Sequence, residues 1–164
     1  MGRSTLEKAL VYPPVKLVSP SSHERDVLLS CRFLGDKSRV LYALTIPEYV
    51  EAWLKAPDTT EQKWVFNSTG REQFTIDIYP SDSLEERIHG YCQVINPNQV
   101  RYSWTTVSRS GSAKSLVDIE TSWDLSSCNM TLKHSGLVGA VEIDRYGEMW
   151  IQSLLKLCRL FRMD

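Results

Sequence analysis

Apolar residues recur along this chain with two different periods, and the change of period divides it into strands and helices. Val27, Leu29, Cys31 and Phe33 take every second place, the pattern of a strand with one buried face. Gly35-Asp36 then turns the chain, and Asp36 is placed to cap a helix through Val40, Leu41 and Leu44. Thr45-Ile-Pro-Glu48 has the spacing of a capping box, with Thr45 bonding the Glu48 amide and Glu48 reaching back. Pro47 sits in a first turn, where its missing N–H costs nothing. A second short helix carrying Tyr49, Val50, Trp53 and Leu54 follows, and Pro57 ends it. From Lys63 to His134 the period is two, which predicts strands at 63–68, 72–79, 84–95, 99–108, 113–123 and 128–134. Turn residues such as Ser68-Thr-Gly70, Asn96-Pro97-Asn98 and Ser110-Gly111-Ser112 separate them.

After Ser135-Gly136 the period becomes helical. Ile143, Tyr146, Trp150, Leu154, Leu157 and Phe161 follow steps of three and four, with Glu148, Gln152, Lys156 and Arg159 on the opposite face. Glu142 and Asp144 near the start, and Arg159 and Arg162 near the end, suit the helix dipole. Short links favour an antiparallel meander, and such a sheet curls as it twists. The expectation is an α+β fold: a curved antiparallel sheet of about six or seven strands, two short helices after the first strand, and one long C-terminal helix on the concave face. Space between helix and sheet would serve as a ligand cavity, unless core side chains fill it. Residues 1–23, with Pro13-Pro14, Pro20 and no sustained period, read as an extended or mobile arm on which only Leu17-Val18 could touch the domain. The domain itself is read as 24–164.

Composition narrows the class without choosing a function. A chain of 164 residues fits one domain with a substantial core. Its 19 basic and 20 acidic residues are intermixed, so no bulk positive field would draw nucleic acid. No apolar run approaches the ~20 residues of a membrane span, and the N-terminus lacks a signal-peptide core, so a cytoplasmic protein that engages no membrane is expected. Cys31, Cys92, Cys128 and Cys158 lie far apart without C-x-x-C spacing, and read as buried thiols in a reducing compartment.

Several short motifs carry a family likeness. Ala43-Leu-Thr-Ile-Pro-Glu48 with Trp53, Gly90-x-Cys92 with Ile95-Asn96-Pro97 and Tyr102-Ser-Trp104, and Leu132-Lys-His-Ser-Gly-Leu137 stand in the order and spacing of START-like motifs. Over residues 24–162 the chain resembles the START-like (SRPBCC) superfamily, in the branch of activator of heat-shock-protein-90 ATPase homologues. The resemblance implies a helix-grip fold with an apolar cavity between sheet and C-terminal helix. Lipid carriers, polyketide cyclases and chaperone regulators share that fold, so the resemblance leaves activity open. Ile46 and Asn96 replace acids of the pattern, and the link after Pro97 is one residue short.

Catalytic chemistry finds little footing. There is no G-x-S-x-G, H-E-x-x-H or Gly-rich phosphate loop. Adjacent His134 and Ser135 leave a strand on opposite faces and cannot form a dyad. No cluster has metal-ligand spacing, and no cofactor is implied. Asp118 and Glu120 read as a solvated outer face. Trp53, Phe66, Phe74, Ile76, Tyr102, Trp104, Leu132, His134, Tyr146, Trp150 and Leu154 are expected to line the interior, partly as core and partly as walls of an apolar pocket. The leading expectation is non-catalytic binding of a small, largely apolar ligand. A chaperone-interacting module is the alternative, and a cyclase-like enzyme is third. A second copy of the chain, as a homodimer, is a further expected partner.

Overall fold

The computed structural model describes residues 15–17, 26–54, 63–79, 84–125 and 127–162. In chain order the elements are β1 (Val15–Leu17), β2 (Val27–Leu34), α1 (Lys37–Thr45), α2 (Pro47–Trp53), β3 (Lys63–Ser68), β4 (Gln73–Tyr79), β5 (Glu86–Asn96), β6 (Gln99–Ser108), β7 (Gly111–Asp124), β8 (Ser127–Ser135) and α3 (Ala140–Arg162). One eight-stranded sheet runs β1-β2-β8-β7-β6-β5-β4-β3, every pair antiparallel. Strands β3 to β8 form the expected meander. The first long strand, β2, then pairs with the last, β8, placing Val27 opposite His134 and Leu34 opposite Ser127.

Alternation does what period two requires. Val27, Leu29, Cys31 and Phe33 are buried, and so are Met130, Leu132 and His134. On the outer face Arg101 pairs with Asp118 at 2.8 Å, and Arg87 with a sheltered Asp77 through two bonds of 2.5 and 3.0 Å. The helix α3 lies along β1 and β2 and meets α2, burying Tyr146, Met149, Trp150, Leu154, Leu157 and Cys158. Glu148, Gln152 and Arg159 face water. An ion pair ties its first turns to the sheet: Arg145 donates to both carboxylate oxygens of Glu86, at 3.3 and 2.6 Å.

Two local readings are corrected. The Thr45–Glu48 capping box does not form: Thr45 ends α1 and donates its hydroxyl to Leu41 O at 2.7 Å, while Ile46 is the N-cap of α2 and makes no side-chain cap bond. The two helices follow each other so closely that Thr45 is still helical where a cap would have to be extended. The sheet begins earlier than residue 24, since Val15–Leu17 pairs with Cys31–Leu29 at its edge. The rest of the 1–23 arm, like Pro57, lies outside the described residues. The link after Asn96 is a two-residue Pro97-Asn98 turn beside a register shift between Val94 and Asn96, and Asn96 Oδ1 accepts from the Asn98 amide at 2.8 Å.

Two substitutions follow. Leu154→Ala should lower unfolding free energy by about 2–5 kcal/mol, against about 0.5 or less for Gln152→Ala; equal losses in urea denaturation would contradict the facing of α3. Leu125, in the β7–β8 turn, is 98% exposed and held at φ 58°, a conformation that strains a side chain with a Cβ. Leu125→Gly should therefore raise stability by up to about 1 kcal/mol, and a loss would show that the leucine side chain earns its place through contacts.

Candidate functional site

The expected interior residues do converge. Trp104 stands at the centre, its ring centroid 5.4 Å from Trp150, 5.7 Å from His134, 6.0 Å from Tyr146 and 6.1 Å from Phe74. Trp53 meets Trp150 at 6.4 Å, and Tyr102 meets Phe74 edge-on at 6.2 Å. Phe66 is half-buried and stacks on Phe74 at 5.1 Å, while Ile76, Leu132 and Leu154 complete the packing. Apart from Phe66, none of these expected lining residues is more than 1% exposed. A void wide enough for even a water molecule would leave its walls accessible. The space read from the sequence as a cavity is thus filled around these residues by their own rings, edge against face. Gly90 makes one of those contacts: a Cβ there would stand 2.2 Å from the Phe74 ring.

Several of these side chains hold backbone rather than face a ligand. The chain leaves α1 at the extended Ile46, so no following amide returns to Ala43 O, and the Trp53 indole supplies the donor instead, at 2.8 Å. The next carbonyl, Leu44 O, accepts from the Tyr102 hydroxyl and, more weakly, from the Cys92 thiol at 3.6 Å. The C-terminal end of α1 is thereby fastened to β5 and β6.

His134 is held in a tautomer that cannot take a proton from its serine neighbour. Trp150 Nε1 donates to His134 Nδ1 at 2.9 Å, and an indole nitrogen can only donate. The neutral ring must then carry its proton on Nε2, where it meets Ser115 Oγ at 2.7 Å. Ser115 on β7 and His134 on β8 thus have the contact of a nucleophile and its base, in the wrong tautomer. For His134 to take a proton from Ser115, Nδ1 would have to be protonated, turning that hydrogen onto the indole N–H. Burial also pushes the imidazole down to about 3 from 6.5. The buried thiols are no better suited as nucleophiles: burial raises Cys92 and Cys128 to about 12, and a hydrogen bond with Cys158, then burial, raises Cys31 further. Among the described residues no group of three His, Cys, Asp or Glu is arranged to hold a metal ion, and no helix is long and apolar enough to cross a membrane.

Open space lies elsewhere. A cleft of about 180 Å3 separates α1 from the end of the sheet at the β5–β6 turn. Leu41 and Leu44 of α1 face Val100, Ile119 and Trp123 across it, and Lys37, Ser38, Asn98, Gln99 and Thr121 supply polar groups. Val40, Leu44, Val100 and Ile119 of its lining belong to the same buried core as the aromatic residues, so the cleft opens at the edge of that core.

No family model matches the sequence, and no curated protein does. Solved structures do. Protein CV1439 from Chromobacterium violaceum is similar at TM-score 0.65 and 17% identity, covering 85% of this chain and 99% of that one. The AHSA1 protein from Silicibacter pomeroyi is similar at 0.63 and 16%, covering 82% and 96%. CalU16 from Micromonospora echinospora is similar at 0.57 and 17%, covering 90% and 85%. The chain has the START-like helix-grip fold.

Within that START-like frame, the sequence located the aromatic residues but not what they do. Ser115 was missed because its meeting with His134 depends on the β7–β8 register, which pairs Val117 with His134 and leaves Ser115 on the diagonal. The cleft was missed because Lys37 and Leu41 on α1 and Trp123 on β7 are brought together only by the tertiary fold. One sequence signal pointed there: Trp123 keeps the inward parity of Val117 and Ile119 to the very end of its strand.

The His134 geometry predicts a pH dependence. Its folded pKa lies below the unfolded value, so the unfolded chain takes up a proton first as pH falls. The stability it confers is complete above about pH 6.5 and declines toward pH 3, by about 1.4 kcal/mol per pH unit once the unfolded imidazole is charged. Denaturant titrations between pH 7 and 5 should show this slope in the natural chain and a flatter one in His134→Gln. The same slope in both would mean that His134 is not the group being titrated.

Proposed function

We propose that this chain is a non-catalytic START-like domain that holds a small, largely apolar molecule in the cleft between α1 and the open end of the sheet. The reading is supported by a single observation: beside the packed interior around Trp104, half-buried Leu41 and Trp123 leave apolar surface open in a cleft between α1 and the β5–β6 turn. Its size sets the ligand class. A cavity of about 150 Å3 holds a benzene ring, so about 180 Å3 suits a single ring or a short chain rather than a long fatty acid or a polycycle. Half-buried Leu41 and Trp123 would contact the apolar body, backed by the buried side chains of Leu44, Val100 and Ile119, and the Lys37 ammonium and Ser38 hydroxyl would orient a polar end. The tautomer of His134 counts against its serving as the base of a cyclase-like reaction through Ser115. A chaperone-interacting role is supported by the sequence resemblance and by the fold likeness to the AHSA1 protein, and it predicts no response to small molecules.

Toluene, benzoate and hexanoate are suitable probes. A probe in the cleft should shift tryptophan emission saturably, and Trp123→Phe should remove the shift, because Trp123 is the one tryptophan lining the cleft. Binding to the folded state alone should stabilise it by about 2.7 kcal/mol at a hundredfold excess over Kd. Leu41→Phe, which fills the space, should abolish both effects while leaving a cooperatively folded protein. Failure of all three probes to raise Tm would overturn the proposal. A shift that persists in Trp123→Phe would move the ligand to another part of the molecule.

A further inference from the structure

The inner faces of β2 and α3 meet along a common direction. A Cβ on Gly147 would stand 4.0 Å from the Val27 side chain, and Phe161 stacks on Phe33 at 5.3 Å. From Val27 to Phe33 is six strand steps, roughly 20 Å, and from Gly147 to Phe161 fourteen helix steps, roughly 21 Å. The two elements therefore run parallel and keep step between these contacts. Cys31 lies two steps before Phe33, and Cys158 lies about one helical turn before Phe161, so this register brings the two thiols to the same level. Both are buried, and they share a hydrogen bond. Cys128 stands beside them on β8, opposite Phe33 and diagonal to Cys31.

We propose that Cys31 and Cys158 are a redox pair whose disulfide pins the C-terminal part of α3 to β2. The other thiols are poorly placed to compete. Cys128 sits on the diagonal of neighbouring strands, where Cα atoms stand about 7–8 Å apart, beyond the span of a disulfide. Cys92 is on β5 and turns its thiol to Leu44 O. The chemistry balances with a peroxide as oxidant. One sulfur, as thiolate, attacks a peroxide oxygen, and the O–O bond breaks to leave a sulfenic acid and a first water. The second sulfur then attacks the sulfenic sulfur. The S–S bond forms, the S–O bond breaks and a second water leaves. Hydrogen peroxide gains the two electrons that the thiols give up, and both thiol hydrogens end in water. While α3 is seated the pair is protected, because the bond to Cys158, and then burial, keeps Cys31 protonated. Reaction runs through opening of the last turns of the helix, which ends at Arg162. Oxidation is therefore slow in the closed fold, and the finished bond holds shut the segment whose opening allowed it. The pair stands apart from ligand binding in the cleft, whose lining includes no cysteine.

The test uses the full chain and hydrogen peroxide at mildly alkaline pH. After oxidation the protein is unfolded, its remaining thiols are capped with N-ethylmaleimide, and its peptides are mapped without reductant. The expected product is a monomer that takes two caps rather than four, with the peptides of Cys31 and Cys158 joined. Its Tm should stand about 5–10 °C above that of the reduced chain and return on treatment with dithiothreitol. Cys128→Ala should keep the link, and Cys158→Ala should lose it. The map of the natural chain decides by itself if a variant fails to fold. A link from Cys31 to Cys128, a disulfide between two chains, or four thiols still open to capping would each overturn the proposal. So would the expected link without a rise in Tm, since the bond would then pin nothing.

Discussion

The long helix α3 reaches the sheet through a hydrogen bond as well as through its apolar stripe. The Trp150 indole donates to His134 Nδ1, and His134 Nε2 passes the contact on to Ser115. That chain spans α3, β8 and β7 and leaves each polar atom in it partnered. Indeed no buried side-chain nitrogen or oxygen among the described residues lacks a hydrogen-bond partner. In so dry an interior an unpaired indole N–H would be costly, so the helix has one rotational setting in which both its methyl groups and its indole are satisfied. The Arg145–Glu86 ion pair agrees with the same setting from the outer side of the helix.

The same arrangement limits what the interior can do. A histidine that accepts from tryptophan and donates to serine is fixed in its tautomer, buried and neutral. It orients neighbours rather than moving protons. The aromatic rings around it meet each other at the distances of a packed core. In this chain the rings around Trp104 pack against one another, and a cleft of about 180 Å3 opens where α1 faces the β5–β6 turn. Solved structures with this fold share 16 or 17% of residues with the chain, a level at which architecture persists while pocket walls are free to change.

How much of this was legible beforehand depended on the range of the interaction. The alternation of Val27 to Phe33 and the three-and-four spacing of Tyr146 to Leu157 are local, and both predicted the buried faces correctly. The inward parity of His134 was legible too. Its partners were not, because the Ser115 contact requires the pairing of two strands and the Trp150 contact requires the rotation of a helix. The capping box at Thr45 failed for a related reason. A four-residue pattern cannot show that the preceding helix still holds Thr45, or that its hydroxyl is already donating to Leu41 O. Nor can periodicity tell a lined cavity from a filled one, since both place large apolar groups on the same faces. Only the packing decides it, here through side chains at most 1% exposed around Trp104.

Trp53 bears on how such a sequence can drift over time. The chain leaves α1 at the extended Ile46, so the Ala43 carbonyl takes its hydrogen from the indole of the next helix. Any exchange at 53 that removes the indole N–H would strand a buried carbonyl. A lineage could release the tryptophan only after another donor had reached that carbonyl, so related chains without it should carry a second change near the helix junction.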